Sequence, residues 1–118
     1  MGGDWKEMFL GVETNDFTLV RYYLDRDIDV NYQHPEFLTS ALIESIARNH
    51  IEMMGFLLER GADPTIKEAL SNKPPMQIAK ELRRKEAVEL LNKYMNTNET
   101  LEAEHISFLS KIVSFFKF

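Results

Sequence analysis

The stretch that decides the fold is SALIESIARNHIEMMGFLLERGAD, residues 40–63, which has the pattern of two short antiparallel helices followed by a turn. Gly61 follows the second helix, at a position where a helix C-terminus favours a residue with left-handed backbone. A helix pair of this size has too little core to be stable alone, so it must stack on neighbouring elements. The apolar residues recur at helical spacing in both halves, at Leu42, Ile43, Ile46, Ile51, Met54, Leu57 and Leu58.

Related residues recur along the chain with a step of 34 positions. Asn15, Asn49 and Arg83 occupy the turn inside three successive helix–turn–helix patterns, and Asp29 and Asp63 follow the first two patterns. This period predicts three stacked helix pairs. Asparagine tolerates the positive φ that suits such a turn, whereas arginine costs about 1 kcal/mol more. We therefore expect the third turn, at Arg83, to be remodelled.

Short motifs recur within this period. DVN (29–31) and GAD (61–63) each match part of a GADVN turn motif. SAL (40–42) and PPM (74–76) occupy the position of a TPL motif. NHIEMMGFLLERGAD (49–63) matches the motif GHLEVVKLLLEAGAD. These motifs resemble those of the ankyrin repeat family, over about residues 6–95. The resemblance implies an all-α repeat solenoid of stacked helix–turn–helix units. Its connecting loops, 29–39 and 63–73, are expected to form β-hairpin-like fingers.

The resemblance also sets the expected boundaries. Asp27 stands where the family has glycine, which predicts a looser end to the first unit. We expect one domain with three repeats, then a linker and a C-terminal amphipathic helix. The corresponding ranges are 4–95 for the domain, 4–28, 29–61 and 62–95 for the repeats, 96–100 for the linker and 101–118 for the helix.

Residues 101–118 predict an amphipathic helix, because seven large apolar residues fall on one half of its wheel. Three alternatives follow. The helix packs back on the third repeat as a cap, it self-associates into a homodimer or larger assembly, or it docks on a partner groove or a membrane surface. A bilayer span is not expected, since about 20 mainly apolar residues are needed and this segment carries four charges. Self-association would use Phe108, Ile112, Phe115 and Phe116.

The resemblance to ankyrin repeats implies a protein-interaction module, adaptor or inhibitor-like, that binds a folded protein partner through finger tips and concave helix faces. Tyr32 and Phe37 are the expected aromatic anchors and Arg48 the charged one, because such residues dominate binding hot spots. His34 is expected to be an exposed contact. As alternatives, Phe37 packs under its own finger, and Glu44 or Arg48 is only solvated. By position, the surface comprises Tyr32, His34, Glu36, Phe37, Glu44, Arg48, Lys67, Leu70 and Glu81.

Composition and motifs argue against several other classes of function. The net charge of −5, with no basic run longer than residues 83–85, argues against nucleic-acid binding. The chain has no cysteine, which excludes a disulfide, a thiol nucleophile and a Cys-based zinc site. No histidine has a ligand-spaced histidine nearby, and no phosphate loop or nucleophile elbow is found. We therefore expect no enzymatic activity, no cofactor, no metal and no small-molecule substrate.

Two further expectations concern location and assembly. The N-terminal MGGDWKEMF has no apolar region typical of a signal peptide, so we expect a cytoplasmic protein. The alternative to a binding module is a structural protein that self-associates through residues 101–118. Light scattering of the full chain separates these two classes, because only the second forms a dimer through this segment.

Overall fold

The structure, a computed structural model, describes residues 2–96. The expectations for the linker beyond Asn96, the amphipathic helix and its Phe108, Ile112, Phe115 and Phe116 lie outside these residues. The described part of the chain contains six helices and no strand. The helices are α1 (Gly2–Glu13), α2 (Phe17–Leu24), α3 (Ala41–Ala47), α4 (Ile51–Glu59), α5 (Pro75–Glu81) and α6 (85–96).

Helices α2, α3 and α5 begin where the sequence supplies a suitable residue. The Asp16 carboxylate caps α2 by accepting a hydrogen bond from the Leu19 amide at 3.1 Å. As expected, the Ser40 hydroxyl caps α3 through the Ile43 amide at 3.2 Å. Helix α5 begins with Pro75, whose missing N–H does no harm in the first turn.

The turn inside each helix pair has the same backbone form. Asn15, Asn49 and Arg83 all have a φ of 58°, and each donates its amide to the carbonyl three residues earlier. The next residue donates to the carbonyl five residues before it, which completes the Schellman pattern that satisfies helix-end carbonyls. The expectation of a remodelled third turn at Arg83 is therefore wrong. The two hydrogen bonds offset the cost of placing an arginine in left-handed backbone.

The ends of α2 and α4 repeat this geometry. Asp27, with a φ of 64°, and Gly61, with a φ of 99°, each donate to the carbonyl three residues earlier, at 3.2 Å. Gly61 is left-handed as predicted. The expectation of a looser turn at Asp27 is wrong, because the Ile28 amide also reaches the Tyr23 carbonyl at 3.3 Å. Aspartate is among the few residues that enter left-handed backbone at modest cost.

The helices pack as pairs around one continuous core. Helix α1 packs on α2 and α3 on α4, and α3 also contacts both α1 and α5. Polar side chains tie successive pairs together, since His50 Nδ1 lies 3.0 Å from the Val12 carbonyl and Arg84 donates to the Ala47 carbonyl at 2.8 Å. The largest fully buried side chains include Trp5, Met8, Val12, Val20, Ile46, Met53, Met54, Leu57 and Leu91.

Two loops connect the pairs, loop 1 (29–39) and loop 2 (63–73). Neither contains a strand, so the hairpin form expected of the fingers is not seen in them. The Gln33 side chain joins the loops by donating to the Lys67 carbonyl and accepting from the Ala69 amide, both at 2.8 Å. The Leu70 amide donates to the Leu38 carbonyl at 2.9 Å. The loops are thus held side by side at one end of the helix pairs.

None of the helices within residues 2–96 combines the length and the apolar composition that crossing a membrane requires. Helices α1 and α6 have the most residues within this range, 12 each, and α1 contains the charged Asp4, Lys6 and Glu7. The expectation that residues 101–118 do not span a bilayer lies outside the described residues.

Candidate functional site

Five aromatic rings meet where loop 1 lies against α1. We call this group the aromatic cluster: Trp5, Phe9, Tyr32, His34 and Phe37. Trp5 is its centre, with only 1% of its surface exposed. Its ring centroid lies 4.8 Å from that of Phe9 and 5.5 Å from that of His34, both in stacked orientation. Phe37 closes the cluster by stacking on Phe9 at 5.3 Å.

His34 is buried, with 8% of its surface exposed, which differs from the exposed contact expected from the sequence. Its Nδ1 accepts a hydrogen bond from the Glu36 amide at 3.0 Å, while its ring covers Trp5. Because that nitrogen is an acceptor, the ring proton of a neutral His34 lies on Nε2. His34 therefore organises loop 1 from beneath. The sequence pattern does not reveal this, because Trp5 is 29 positions away.

Tyr32 and Phe37 combine support from the cluster with exposure to solvent. They are 42% and 41% exposed, yet Tyr32 meets Trp5 edge to face at 5.8 Å and Phe37 lies 5.6 Å from the same ring. Phe37 thus packs on Trp5 and Phe9 of α1 and presents one side to solvent, and its role as an anchor for a partner stays a prediction. Aromatic rings fixed in this way lose little conformational freedom when a partner covers them.

Charged groups flank the aromatic cluster. Glu36 forms an ion pair with Lys6 of α1 at 3.1 Å, and the Lys6 ammonium lies 5.9 Å from the Phe37 ring centroid. Both charged side chains are largely exposed, so the pair contributes about 0–1 kcal/mol to stability. Lys6 was not among the predicted site residues. The missing signal is the packing of loop 1 on α1, which no local sequence pattern encodes.

Loop 2 carries the large apolar side chain that is most exposed among residues 2–96. Leu70 is 70% exposed, and its amide is held by the carbonyl of Leu38. Leu38 is itself exposed and has left-handed backbone, with a φ of 56° that is uncommon for leucine. Lys67 is also exposed, and its carbonyl accepts from Gln33 of loop 1. The structure therefore brings Leu70 and Leu38 together beside the aromatic cluster.

The predicted charged residues on the helices are paired. Arg48 bonds to Glu44 on its own helix pair and lies 3.0 Å from Glu13 of α1. The hydrogen bond to Glu44 raises the pKa of Arg48 above its ordinary value. Glu13 was missed by the sequence prediction, because it lies 35 positions away. These three residues form an ionic link between the first two helix pairs.

Glu81 is paired in the same manner at the end of α5. It accepts from Lys73 at 2.8 Å and from Gln77 at 3.1 Å. The hydrogen bond from Lys73 is the main reason that the pKa of Glu81 lies below its ordinary value, and the bond from Gln77 adds to it. Glu44 and Arg48 are thus ion-paired, which differs from the alternative that either is only solvated, and Glu81 is ion-paired as well.

A metal site is not formed in the part of the chain that the structure describes, because no three His, Cys, Asp or Glu side chains are grouped there. The arrangement instead offers a surface: half-exposed aromatic rings, two exposed leucines and paired charges along α1, α3 and α5. Such a mixture is typical of protein-binding surfaces, whose centres are rich in aromatic residues and whose rims are polar.

No family model matches the chain. Over 55 residues the chain is 34% identical to palmitoyltransferase AKR1 of Lachancea kluyveri, a match that covers 47% of this chain. The same match covers 8% of that protein, so the chain spans only a small fraction of the length of this curated relative. The similarity thus concerns a short segment of a much larger protein.

Proposed function

We propose that residues 4–95 form an ankyrin-like repeat domain that binds a folded protein partner. The recurrence of left-handed backbone supports the repeat. Residues with positive φ recur 34 positions apart in three series: 15, 49 and 83; 27 and 61; 38 and 72. The partial similarity to a segment of palmitoyltransferase AKR1 agrees with this proposal. Because that segment is 8% of the transferase, its activity is not proposed for this chain.

The observation that carries the binding role is the aromatic cluster. Tyr32 and Phe37 are held by the buried Trp5 and His34, and each presents a face to solvent. A ring that is already ordered costs less entropy to bury at an interface than a free surface side chain. Leu38 of loop 1 and Leu70 of loop 2 extend the apolar surface, so the two loops together form one docking patch.

The paired charges of α1, α3 and α5 form the polar rim of this patch. Glu13, Glu44 and Arg48 form one group, and Lys73 and Glu81 form another. Each group presents both signs, so a partner with complementary charges finds a defined orientation. With three helix pairs, the interface falls at the low end of the standard size, about 1,200–1,600 Å² in total.

The test compares patch variants of the full chain with a matched control. Partners are captured from the native cell on the immobilised protein, identified by mass spectrometry, and then measured in purified form. We expect Tyr32→Ala and Leu70→Ala each to weaken binding about tenfold or more, as for hot-spot residues. Tyr22→Ala on α2 and Leu82→Ala beyond the far end of α5 remove exposed side chains of the same type. Equal losses from the patch variants and the controls would contradict the proposal.

A further inference from the structure

Loop 1 turns back on itself within the docking patch, and His34 holds that turn. Three successive amides donate to this one residue. The Phe37 and Leu38 amides donate to its carbonyl at 3.0 and 2.8 Å, and the Glu36 amide donates to its ring Nδ1 at 3.0 Å. The turn carries Phe37 and Leu38 to the surface, where both side chains are exposed. His34 therefore fixes the part of loop 1 that presents these side chains.

One of the three hydrogen bonds depends on the charge of His34. In the neutral ring Nδ1 has a lone pair and accepts from the Glu36 amide, whereas both ring nitrogens of an imidazolium carry protons and neither accepts. An imidazolium still stacks on an aromatic ring, so the contact with Trp5 tolerates the charge. The hydrogen bond does not, because two donors would then face each other at 3.0 Å. Either the ring rotates or the turn opens, and the Glu36 amide loses its acceptor in both cases.

His50 has the opposite arrangement. Its Nδ1 lies 3.0 Å from the Val12 carbonyl, which can only accept, so this nitrogen is the donor. An imidazolium donates from the same nitrogen, and protonation therefore preserves this bond. Histidine is the side chain that ordinarily changes its charge between about pH 5 and 8. His34 and His50 are the histidines among residues 2–96, and only the side-chain hydrogen bond of His34 is lost on protonation.

The other ionisable groups around His34 do not compensate for this loss. The elements packed around it contribute one such side chain from α1, two from loop 1 and one from loop 2: Lys6, Tyr32, Glu36 and Glu68. Glu36 pairs with Lys6 at 3.1 Å, and Glu68 accepts from a hydroxyl of loop 1 at 2.7 Å. The Tyr32 ring meets the His34 ring edge to face, with 6.3 Å between the centroids. Carboxylates, phenols and ammonium groups ordinarily keep one charge state between about pH 5.5 and 7.5, so His34 is the group that changes here.

We propose that protonation of His34 releases this side of the docking patch, so that partner binding weakens as the pH falls. The inference rests on the proposed function, because it concerns the regulation of the same patch. While His34 is neutral, the turn is held and the rings of Tyr32 and Phe37 are supported by Trp5. As the pH falls through the ordinary range of histidine, the Glu36 amide is released and the ordered surface that favours binding is lost.

The first test follows the emission of Trp5, the single tryptophan, in the full chain without a partner. When the pH is lowered from about 7.5 to about 5.5, we expect the emission maximum to shift to the red, because the loosened turn admits water to the indole. His34→Asn is expected to remove this shift, since its side-chain oxygen accepts from the Glu36 amide and does not titrate. His50→Asn, the matched control, keeps it. A wild-type chain without a red shift, or a shift that persists in His34→Asn, would overturn the proposal.

A second measurement needs no variant. In NMR spectra of the wild-type chain, the Glu36 amide proton is expected to move upfield, as for a lost hydrogen bond, with the same midpoint as the His34 ring. The Ile43 amide is the control, because it is held by the Ser40 hydroxyl, which does not titrate. A Glu36 amide that stays in place while the His34 ring takes up its proton would contradict the proposal.

The third test measures binding of the purified partner from the capture experiment at the same two pH values. We expect the affinity of the wild-type chain to fall about tenfold at the lower pH, as for loss of a hot-spot contact, and that of His34→Asn to fall less than about twofold. Equal losses in the two proteins would overturn the regulation by His34. Tyr32→Ala at the higher pH tests the docking patch itself. If Tyr32→Ala weakens binding and the lower pH does not, the patch is retained and the regulation is rejected.

Discussion

Arg83 occupies left-handed backbone at a turn where the chain elsewhere uses asparagine. Its φ of 58° equals that of Asn15 and Asn49, and its side chain is exposed. Left-handed backbone costs an ordinary L-residue about 1–2 kcal/mol, whereas asparagine enters it with less strain. The three turns therefore share one backbone geometry, but its conformational free-energy cost differs. The turn at Arg83 in the third pair is the most strained.

Replacing Arg83 by asparagine is expected to raise the free energy of unfolding by about 0.5–1 kcal/mol, because the strain is relieved and no contact in the core is lost. The converse change, Asn49→Ala, is expected to lower it by about 1 kcal/mol. Urea unfolding followed by circular dichroism measures both. If Arg83→Asn is neutral or destabilising, the backbone there is not strained.

Phe37 contributes to the stability of the fold as well as presenting an exposed face. Its stacking on Phe9 and its contact with Trp5 predict that Phe37→Ala lowers the free energy of unfolding by about 1–2 kcal/mol, less than a fully buried phenylalanine would lose. Trp5 is the single tryptophan, so its fluorescence reports the change directly. We expect a red shift of its emission, because loss of Phe37 opens the cluster to water. Unchanged emission together with unchanged stability would show that Phe37 is not part of the cluster.

The close approach of two helices explains why glycine is needed at position 11, but it does not explain the glycine at position 55. A Cβ added to Gly11 of α1 would lie 2.8 Å from a methyl group of Val20 on α2. At Gly55 of α4 the nearest atom is a methyl group of Leu90 at 3.8 Å, an ordinary contact distance. The first helix pair therefore depends on glycine for its spacing, whereas α4 does not.

The matched substitutions Gly11→Ala and Gly55→Ala are expected to have opposite signs. Gly11→Ala lowers stability by about 1–3 kcal/mol, because the core is overpacked. Gly55→Ala raises it by about 0.5–1 kcal/mol through helix propensity. Thermal unfolding of the two variants decides the matter. A stabilising Gly11→Ala would mean that α1 and α2 do not approach as described.

A hydrogen bond between the same two helices has a signature at high pH. Tyr23 of α2 donates to the Glu7 carboxylate of α1, which raises the pKa of Tyr23 to about 12. Because the folded-state pKa is raised, this contribution to stability is fully present below pH 10 and is lost as pH rises through about 12. Burial also raises the pKa of Tyr94, so ultraviolet titration should show late tyrosine ionisation that Tyr23→Phe reduces and does not abolish. If Glu7→Gln leaves the late titration undiminished, Glu7 is not its cause.

At the scale of the whole molecule, the sequence predicts the positions of the helices better than it predicts the contacts that form the surface. The spacing of apolar residues and the positions of Ser40 and Gly61 correctly place helices and their ends, because those signals are local. The form of the turns at Asp27 and Arg83 is not predicted, since backbone hydrogen bonds outweigh the preference of a single residue.

The surface depends on contacts between residues distant in sequence. His34 is buried only because loop 1 folds over Trp5, and the pairing of Arg48 depends on Glu13 in the preceding helix pair. Lys6 enters the site in the same way, through Glu36. No sequence periodicity encodes these long-range contacts. The exposure of Tyr32 and Phe37 could therefore be proposed from the sequence, but the packing that holds their rings in place could not.

Hydrogen–deuterium exchange of the full chain, with and without a purified partner, tests the central claim most directly. If the docking patch binds the partner, protection appears in loops 1 and 2 and along α1 and α3. The outer helices α2 and α4 then exchange as in the free protein. Protection confined to α2, α4 or residues 97–118, with loops 1 and 2 unchanged, would contradict the account.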